Sequence, residues 1–233
     1  MRQHSGIGVL DKAMGVLYAV AEEPCTLSDL CERPGLPRAT AHRLAVGLEI
    51  HRLLTRDTGG VWRPGPGLAE LAASASDTLV DAAAAVLPRL REITGESVQV
   101  YRCEGTVRVC VASMEPPAGL RDTVLVGARL PMTAGSGAKV LLAWADPQTQ
   151  HALLPDAEFG ERALAEVRRR GWAQSAGERE PGVASVAAPV RDAVGKVVAA
   201  VSVSGPIDRI GRRPGARWAA DLLAAAEAIH KRL

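Results

Sequence analysis

The residues that can do chemistry fall into three groups. One is the run VVAAVSVS at 197–204. Strand alternation places Val197, Ala199, Val201 and Val203 on one face and Val198, Ala200, Ser202 and Ser204 on the other. Two hydroxyls thus end an otherwise apolar face, where they can donate to or accept from a small polar ligand. Ser185 falls on the strand expected beside them. A second group is TAGSGAK at 133–139. Gly135 and Gly137 allow close backbone approach, and the N–H groups opening a helix over 137–145 can hold a carboxylate. Lys139, one turn into that helix, either adds charge or is solvated. The third group is Arg38, Ala39, Thr40, His42 and Arg43.

Catalytic and metal-binding patterns are missing. The GxxxxGK[ST] spacing of a phosphate loop is not met, and no GxSxG elbow occurs. The histidines, His4, His42, His51, His151 and His230, are scattered and form no HExxH or similar cluster. A serine hydrolase needs a histidine near its serine, and only His151 and His230 share the second domain with these serines. The expectation is a binding protein with no catalytic residue, metal or cofactor.

The third group sits in a recognisable frame. Thr26 and Asp29 fit a capping box, and Leu27 and Leu30 give the short helix they open an apolar side. Pro34-Gly35 must turn. Pro37 is tolerated as the first residue of a second helix running to about Glu49. Ala41, Leu44, Ala45 and Leu48 repeat at helical spacing, which leaves Arg38, Ala39, His42 and Arg43 on the opposite face, with Thr40 beside it. Runs at 53–57 and 61–63 flank Thr58-Gly59-Gly60, a hairpin signal. Helix, turn, helix and two-stranded wing make a winged helix-turn-helix.

Charge favours double-stranded DNA as its partner. From Arg33 to Arg63 six arginines stand against two acids, Glu49 and Asp57, a net +4. Cations close to phosphates release counterions, and arginine reads guanine in the major groove. Arg56 and Arg63, on the wing, are placed for phosphates. A competing reading makes the chain a small-molecule-binding or catalytic protein whose helix pair serves protein contact. Specific retardation of promoter DNA separates the two.

Composition is permissive. The 233 residues suffice for one large or two small domains, and 47% are apolar. A net charge of +2 does not argue for nucleic acid by itself. Arginine outnumbers lysine 24 to 4 and asparagine is absent, the bias of a GC-rich genome, so the clustering of arginines carries the argument. Cys25, Cys31, Cys103 and Cys110 show no CxxC spacing, which reads as reduced thiols in a cytoplasmic protein. No signal peptide is evident, and charges interrupt every apolar run before membrane-spanning length.

Along the rest of the chain, helix 7–22 is apolar on two faces, one with Leu10, Met14, Leu17 and Ala21, the other with Val9, Val16 and Val20. One face suits the helix-turn-helix core and the other a second subunit, or both serve one core. Pro64-Gly65-Pro66-Gly67 opens a linker with a short helix over 67–75 and a polar joint at 74–77. A longer helix over 78–94 contains Pro88, which should kink or divide it, and Gly95 stops it. Strands follow at 97–103, 106–113, 123–126, 172–176, 183–191 and 196–204, with helices at 137–145, 147–154, 161–170 and 215–231. The expected domains are 1–64, a linker 65–76, and 77–233, an α+β domain on a mostly antiparallel sheet of about six strands.

Three stretches carry a resemblance: GLPRATAHRLAVGLEIHRLL at 35–54, RLPMTAGSGAKVLLAW at 129–144 and VAAPVRDAVGKVVAAVSVSGPIDRI at 186–210. Together they make nearly the whole chain resemble the IclR family of bacterial transcriptional regulators. That resemblance implies a GAF- or profilin-like effector domain, a homodimer or homotetramer, and a pocket at the positions of Leu130, Ser136, Gly137, Ser175, Ser185, Ser202 and Ser204. Some members have an acid and a cysteine where Ser175 and Ser185 stand. The version of the helix at 35–44 resembles actinobacterial members that control amino-acid biosynthesis, the leucine branch included. The hydroxyls of Ser202 and Ser204, with Ser185 and the N–H groups of the 133–139 loop, make a small polar carboxylate or amino acid the expected effector.

Overall fold

The structure, a computed structural model, describes residues 5–74 and 77–233. His4, and Ala75 and Ser76 of the expected polar joint, lie outside the described residues. The chain divides after residue 76 into two compact units.

The first unit runs α1 (Gly8–Glu22), α2 (Leu27–Glu32), α3 (Arg38–Ile50), β1 (Leu54–Arg56), β2 (Trp62–Pro64) and α4 (Pro66–Ser74). The capping box forms: Thr26 Oγ1 accepts from Asp29 N at 3.4 Å, and Asp29 Oδ2 accepts from Thr26 N at 2.7 Å. Pro37 has extended backbone and precedes α3 rather than opening it. Val16 and Val20 of α1 pack with Leu30, Ala41, Ala45, Leu54 and Trp62 in one core. Leu10 and Tyr18 face outward, 45% and 51% exposed, so α1 has one core face and one open apolar face. The wing is pinned at its base, where Cys25 N donates to Trp62 O at 3.0 Å and Trp62 N donates to Cys25 O at 2.7 Å. The expected break at 64–67 is tightly packed: a Cβ on Gly65 would lie 2.3 Å from the Arg52 carbonyl, and Gly67 N donates to that oxygen at 2.8 Å.

The second unit runs α5 (Thr78–Thr94), β3 (Ser97–Glu104), β4 (Val107–Met114), β5 (Arg129–Pro131), α6 (Ser136–Ala143), α7 (Pro147–Leu153) with a 3-10 turn (Leu154–Asp156), α8 (Glu161–Arg170), β6 (Ala173–Ala176), β7 (Val183–Arg191), β8 (Val197–Pro206), α9 (Ile207–Ile210) and α10 (Gly215–His230). The strands form one antiparallel six-stranded sheet in the order β5-β4-β3-β8-β7-β6. On one face Val98, Val100, Val186, Val201 and Val203 pack against Leu87, Leu90, Trp218 and Leu222 of α5 and α10. On the other, Tyr101, Cys110, Ala187 and Ala200 pack against Val140, Leu142 and Leu164 of α6 and α8. Asp77 caps α5, accepting from Leu79 N at 3.0 Å and Val80 N at 3.4 Å, and Gly95 closes it in the left-handed region at φ +69°.

Three sequence expectations need correction. Residues 123–126 form no strand; β5 takes the edge of β4 instead, pairing Leu130 with Arg108. Pro88 does not divide α5, which runs unbroken around it. A bulge at Val190/Arg191 shifts the start of β8, so Val197 packs with the α6 side and Val198 with the α10 side, the reverse of simple alternation. Beyond the bulge the alternation holds, and Ala200, Ser202 and Ser204 share the α6 face.

Candidate DNA interface and effector pocket

The outer face of α3 displays Arg38, Ala39, His42 and Arg43, all exposed, with Thr40 half-buried beside them. Ala41 and Ala45 are fully buried beneath, so the small residues of the inner face let the helix seat closely on α1 and α2. Among the described residues no acid pairs with Arg38, Arg43 or Arg56, whereas Arg33, Arg52 and Arg63 pair with Glu23, Glu70 and Asp57. The wing arginines differ. Thr55 opposes Arg63 and Arg56 opposes Trp62, so the two guanidiniums leave opposite faces of the hairpin. Arg56 stacks over the Trp62 ring at 4.9 Å. Arg63 Nε donates to Asp57 Oδ2 at 3.3 Å. Asp57 also accepts from Val61 N and Gly59 N at 3.0 Å each; these bonds, that from Val61 foremost, hold its carboxyl below the usual carboxylate range.

In the second unit a small cavity opens between the sheet and the start of α6. Ser136, Gly137, Ser175, Ser185, Ser202 and Ser204 all line it; Leu130 does not, and packs instead into the α6-side core. Its volume is about 20 Å³, little more than one water needs. Four of the five hydroxyls are engaged. Ser136 Oγ donates to Ser185 Oγ at 2.7 Å, Ser202 Oγ donates to Val186 O at 3.2 Å, and Ser204 Oγ lies 3.1 and 3.2 Å from the two amide atoms of Gln99.

The lining also contains groups that the sequence reading missed: Tyr101, Arg108, Asp122 and Arg179. Arg108 is 3% exposed. Its Nη1 donates to Ala134 O at 3.0 Å and to Pro131 O, and among the described residues its Nε has no partner. Burial drives its pKa down to about 10, so it remains a cation at neutral pH, held in a place that disfavours charge. Both carboxylate oxygens of Asp122 accept from Arg179 Nη2, at 2.7 and 2.8 Å. Burial opposes the Arg179 cation, yet the Asp122 carboxylate outweighs it and keeps the pKa above its ordinary value. Burial also pushes the Tyr101 phenol upward. The helix N-terminus is not open to solvent: Glu178 Oε2 accepts from Gly135 N at 3.2 Å, and its other oxygen pairs with Lys139. Lys139 is buried and donates to Gln174 O at 3.0 Å, so it is neither solvated nor turned to the cavity. Among the described residues no cluster of metal-ligating side chains is found.

Comparison with known proteins decides the family. The pattern of the "Bacterial transcriptional regulator IclR C-terminal" family matches residues 72–231, and that of the "IclR helix-turn-helix domain" matches residues 9–58. The chain belongs to the IclR family. It is a DNA-binding transcriptional regulator with an effector domain, and its relatives are regulators rather than enzymes. The HTH-type transcriptional regulator BhcR of Paracoccus denitrificans (strain Pd 1222) is 29% identical over 225 residues, covering 88% of this chain and 80% of BhcR. The DNA-binding transcriptional repressor YiaJ of Escherichia coli (strain K12) is 30% identical over 207 residues, covering 80% of this chain and 73% of YiaJ. Among solved structures, an IclR homolog complexed with 4-hydroxybenzoate from Microbacterium hydrocarbonoxydans superposes with a TM-score of 0.87 at 27% identity, covering 97% of this chain and 98% of that one. Like that IclR structure, this one joins an N-terminal helix-turn-helix to a C-terminal domain with an antiparallel six-stranded sheet. Among the described residues no helix is long and apolar enough to cross a membrane.

Proposed function

We propose that this IclR-family regulator binds its operator through Arg38, Ala39, Thr40, His42 and Arg43 of α3, with Arg56 on the wing, and that a small polar carboxylate or amino acid modulates that binding. Arg63 contributes less, because Asp57 competes for its guanidinium. The observation that carries the ligand class is Arg108: a buried guanidinium with an unpaired Nε lines a cavity of hydroxyls, and an anion supplies the missing bond and charge. That a relative of known structure holds 4-hydroxybenzoate, itself a carboxylate, supports the same class. Calorimetry with amino acids and 2-oxo acids on the wild type and Arg108→Met tests it; equal affinity in both removes Arg108 from the site.

One short recognition helix reads few base pairs, so useful specificity needs two half-sites and therefore a dimer. The outward face of α1, with Leu10 and Tyr18, is the seam we assign, and tetramers form as dimers of dimers. Val16 is unsuitable as a probe of that seam because it is fully buried in the domain's own core. Leu10→Glu should give monomers with weakened operator binding; light scattering that shows the dimer unchanged rejects the seam. The similarity of residues 35–44 to regulators of amino-acid biosynthesis supports control of such genes, the leucine branch included. Genome-wide mapping of bound sites tests that assignment.

A further inference from the structure

The turn at 177–182 between β6 and β7 brings Glu178 to the start of α6. Its carboxylate accepts from Gly135 N at 3.2 Å and pairs with Lys139, whose side chain is 11% exposed. The positive end of a helix and a buried ammonium both favour an anion there. The neighbouring residue, Arg179, is clasped by Asp122, which fixes the turn from a second side. Gly135, Ser136 and Gly137 line the cavity just beyond, and about 20 Å³ is too little for even a small organic acid.

A ligand carboxylate seeking the same N–H groups therefore meets a carboxylate already there. Resting on the pocket reading above, we infer that Glu178 is the specificity-determining residue of this site. It is a tethered internal competitor that an incoming effector must replace beside Gly135 and Lys139. Displacement by a neutral molecule leaves Lys139 buried without its anion and is unfavourable. Displacement by a carboxylate exchanges one anion for another and keeps Lys139 paired. The site thus selects for anionic effectors by what must leave as well as by what enters.

Acetate is a sufficient probe. It is titrated into the labelled full chain while the amide signals of residues 135–137 are followed by NMR, with acetamide as the neutral control. Glu178→Gln removes the competing charge and should bind acetate about tenfold tighter than wild type, about 1.4 kcal/mol. Glu178→Asp, which withdraws the carboxylate by one methylene, should gain in the same direction and serves if Glu178→Gln does not fold. Glu180→Gln makes the same charge change on the same turn, at a residue that pairs with Arg179, and should gain nothing. Acetamide should not improve in any variant. Equal acetate affinity in wild type and both Glu178 variants, with shifts at 135–137, overturns the competition and leaves the pocket reading standing. An equal gain in Glu180→Gln also overturns it, because the effect is then net charge alone. No shift at 135–137 in any of the proteins removes the pocket reading, and this inference with it.

Discussion

Ser204→Val isolates what the serine hydroxyls do for the fold from what they do for a ligand. A valine suits a strand, and strand propensity alone predicts a silent change. The structure predicts otherwise. Gln99 is 0% exposed, and its amide meets Ser204 Oγ at 3.1 Å through Nε2 and 3.2 Å through Oε1. Losing the hydroxyl leaves both amide atoms buried without that partner, which costs about 1–3 kcal/mol. For a unit of this size each kcal/mol shifts Tm by about 2–4 °C, so a 2 kcal/mol loss lowers it by roughly 4–8 °C. Removing both partners together, in Ser204→Val with Gln99→Met, takes away the orphaned amide and should recover at least half of that loss, the non-additivity expected of contacting residues. Thermal unfolding of the full chain, followed by calorimetry, measures all three variants. A single mutant with wild-type Tm, or a double mutant as unstable as the sum of its singles, refutes the reasoning. Ligand response is then tested with Ser185→Ala, whose hydroxyl, among the described residues, accepts from Ser136.

Other expectations follow from named contacts. Arg43→Ala should weaken operator binding by about 1–3 kcal/mol and relax base preference if it reads a base edge, while Arg56→Ala should weaken all sequences alike and lower the salt slope by about one. Arg63→Ala should have a smaller effect, since Asp57 already engages it; filter-binding salt titrations compare the three. Val16→Glu puts a charge into a fully buried position and should unfold the DNA-binding unit, seen as loss of its helical signal rather than as clean dissociation. Asp77 has a carboxyl held below its ordinary value, first by the Arg102 hydrogen bonds and also by the α5 amides. Its folded pKa lies below the unfolded one, so its stabilisation is present above about pH 4 and fades as pH falls through the lower value. Asp77→Ala should cost on the order of 1 kcal/mol at neutral pH and flatten acid unfolding below pH 4.

The parts of the fold legible in the sequence are those set by local chemistry. Thr26 with Asp29 announces the start of α2, Thr58-Gly59-Gly60 announces the wing, and the alternation from Ala199 onward places Ser202 and Ser204 on one face. What was hidden depends on partners distant in the chain. Arg108 sits at an alternating position of β4, and nothing local marks it as a buried group. It is buried because the chain at Pro131 and Ala134 offers its carbonyls to the guanidinium and Gly137 brings α6 within reach, so that a Cβ there would lie 3.6 Å from Nε. Asp122 and Arg179 stand 57 residues apart and show no local pattern. The α6 N-terminus reads as a place for a carboxylate, but nothing local shows that Glu178 reaches it from another turn. The inward and outward faces of α1 look alike in composition, and only the packing of Val16 and Val20 against Leu30 and Trp62 tells which is which.

The central claim is thermodynamic coupling between the pocket and the recognition helices, and coupling is reciprocal. The direct measurement is a pair of titrations at one salt concentration: operator affinity with and without a saturating carboxylate effector, and effector affinity with and without operator DNA. The account predicts the same factor in both directions, about 5–150-fold. An effector that binds the pocket while operator affinity stays unchanged, or two factors that differ, contradicts it.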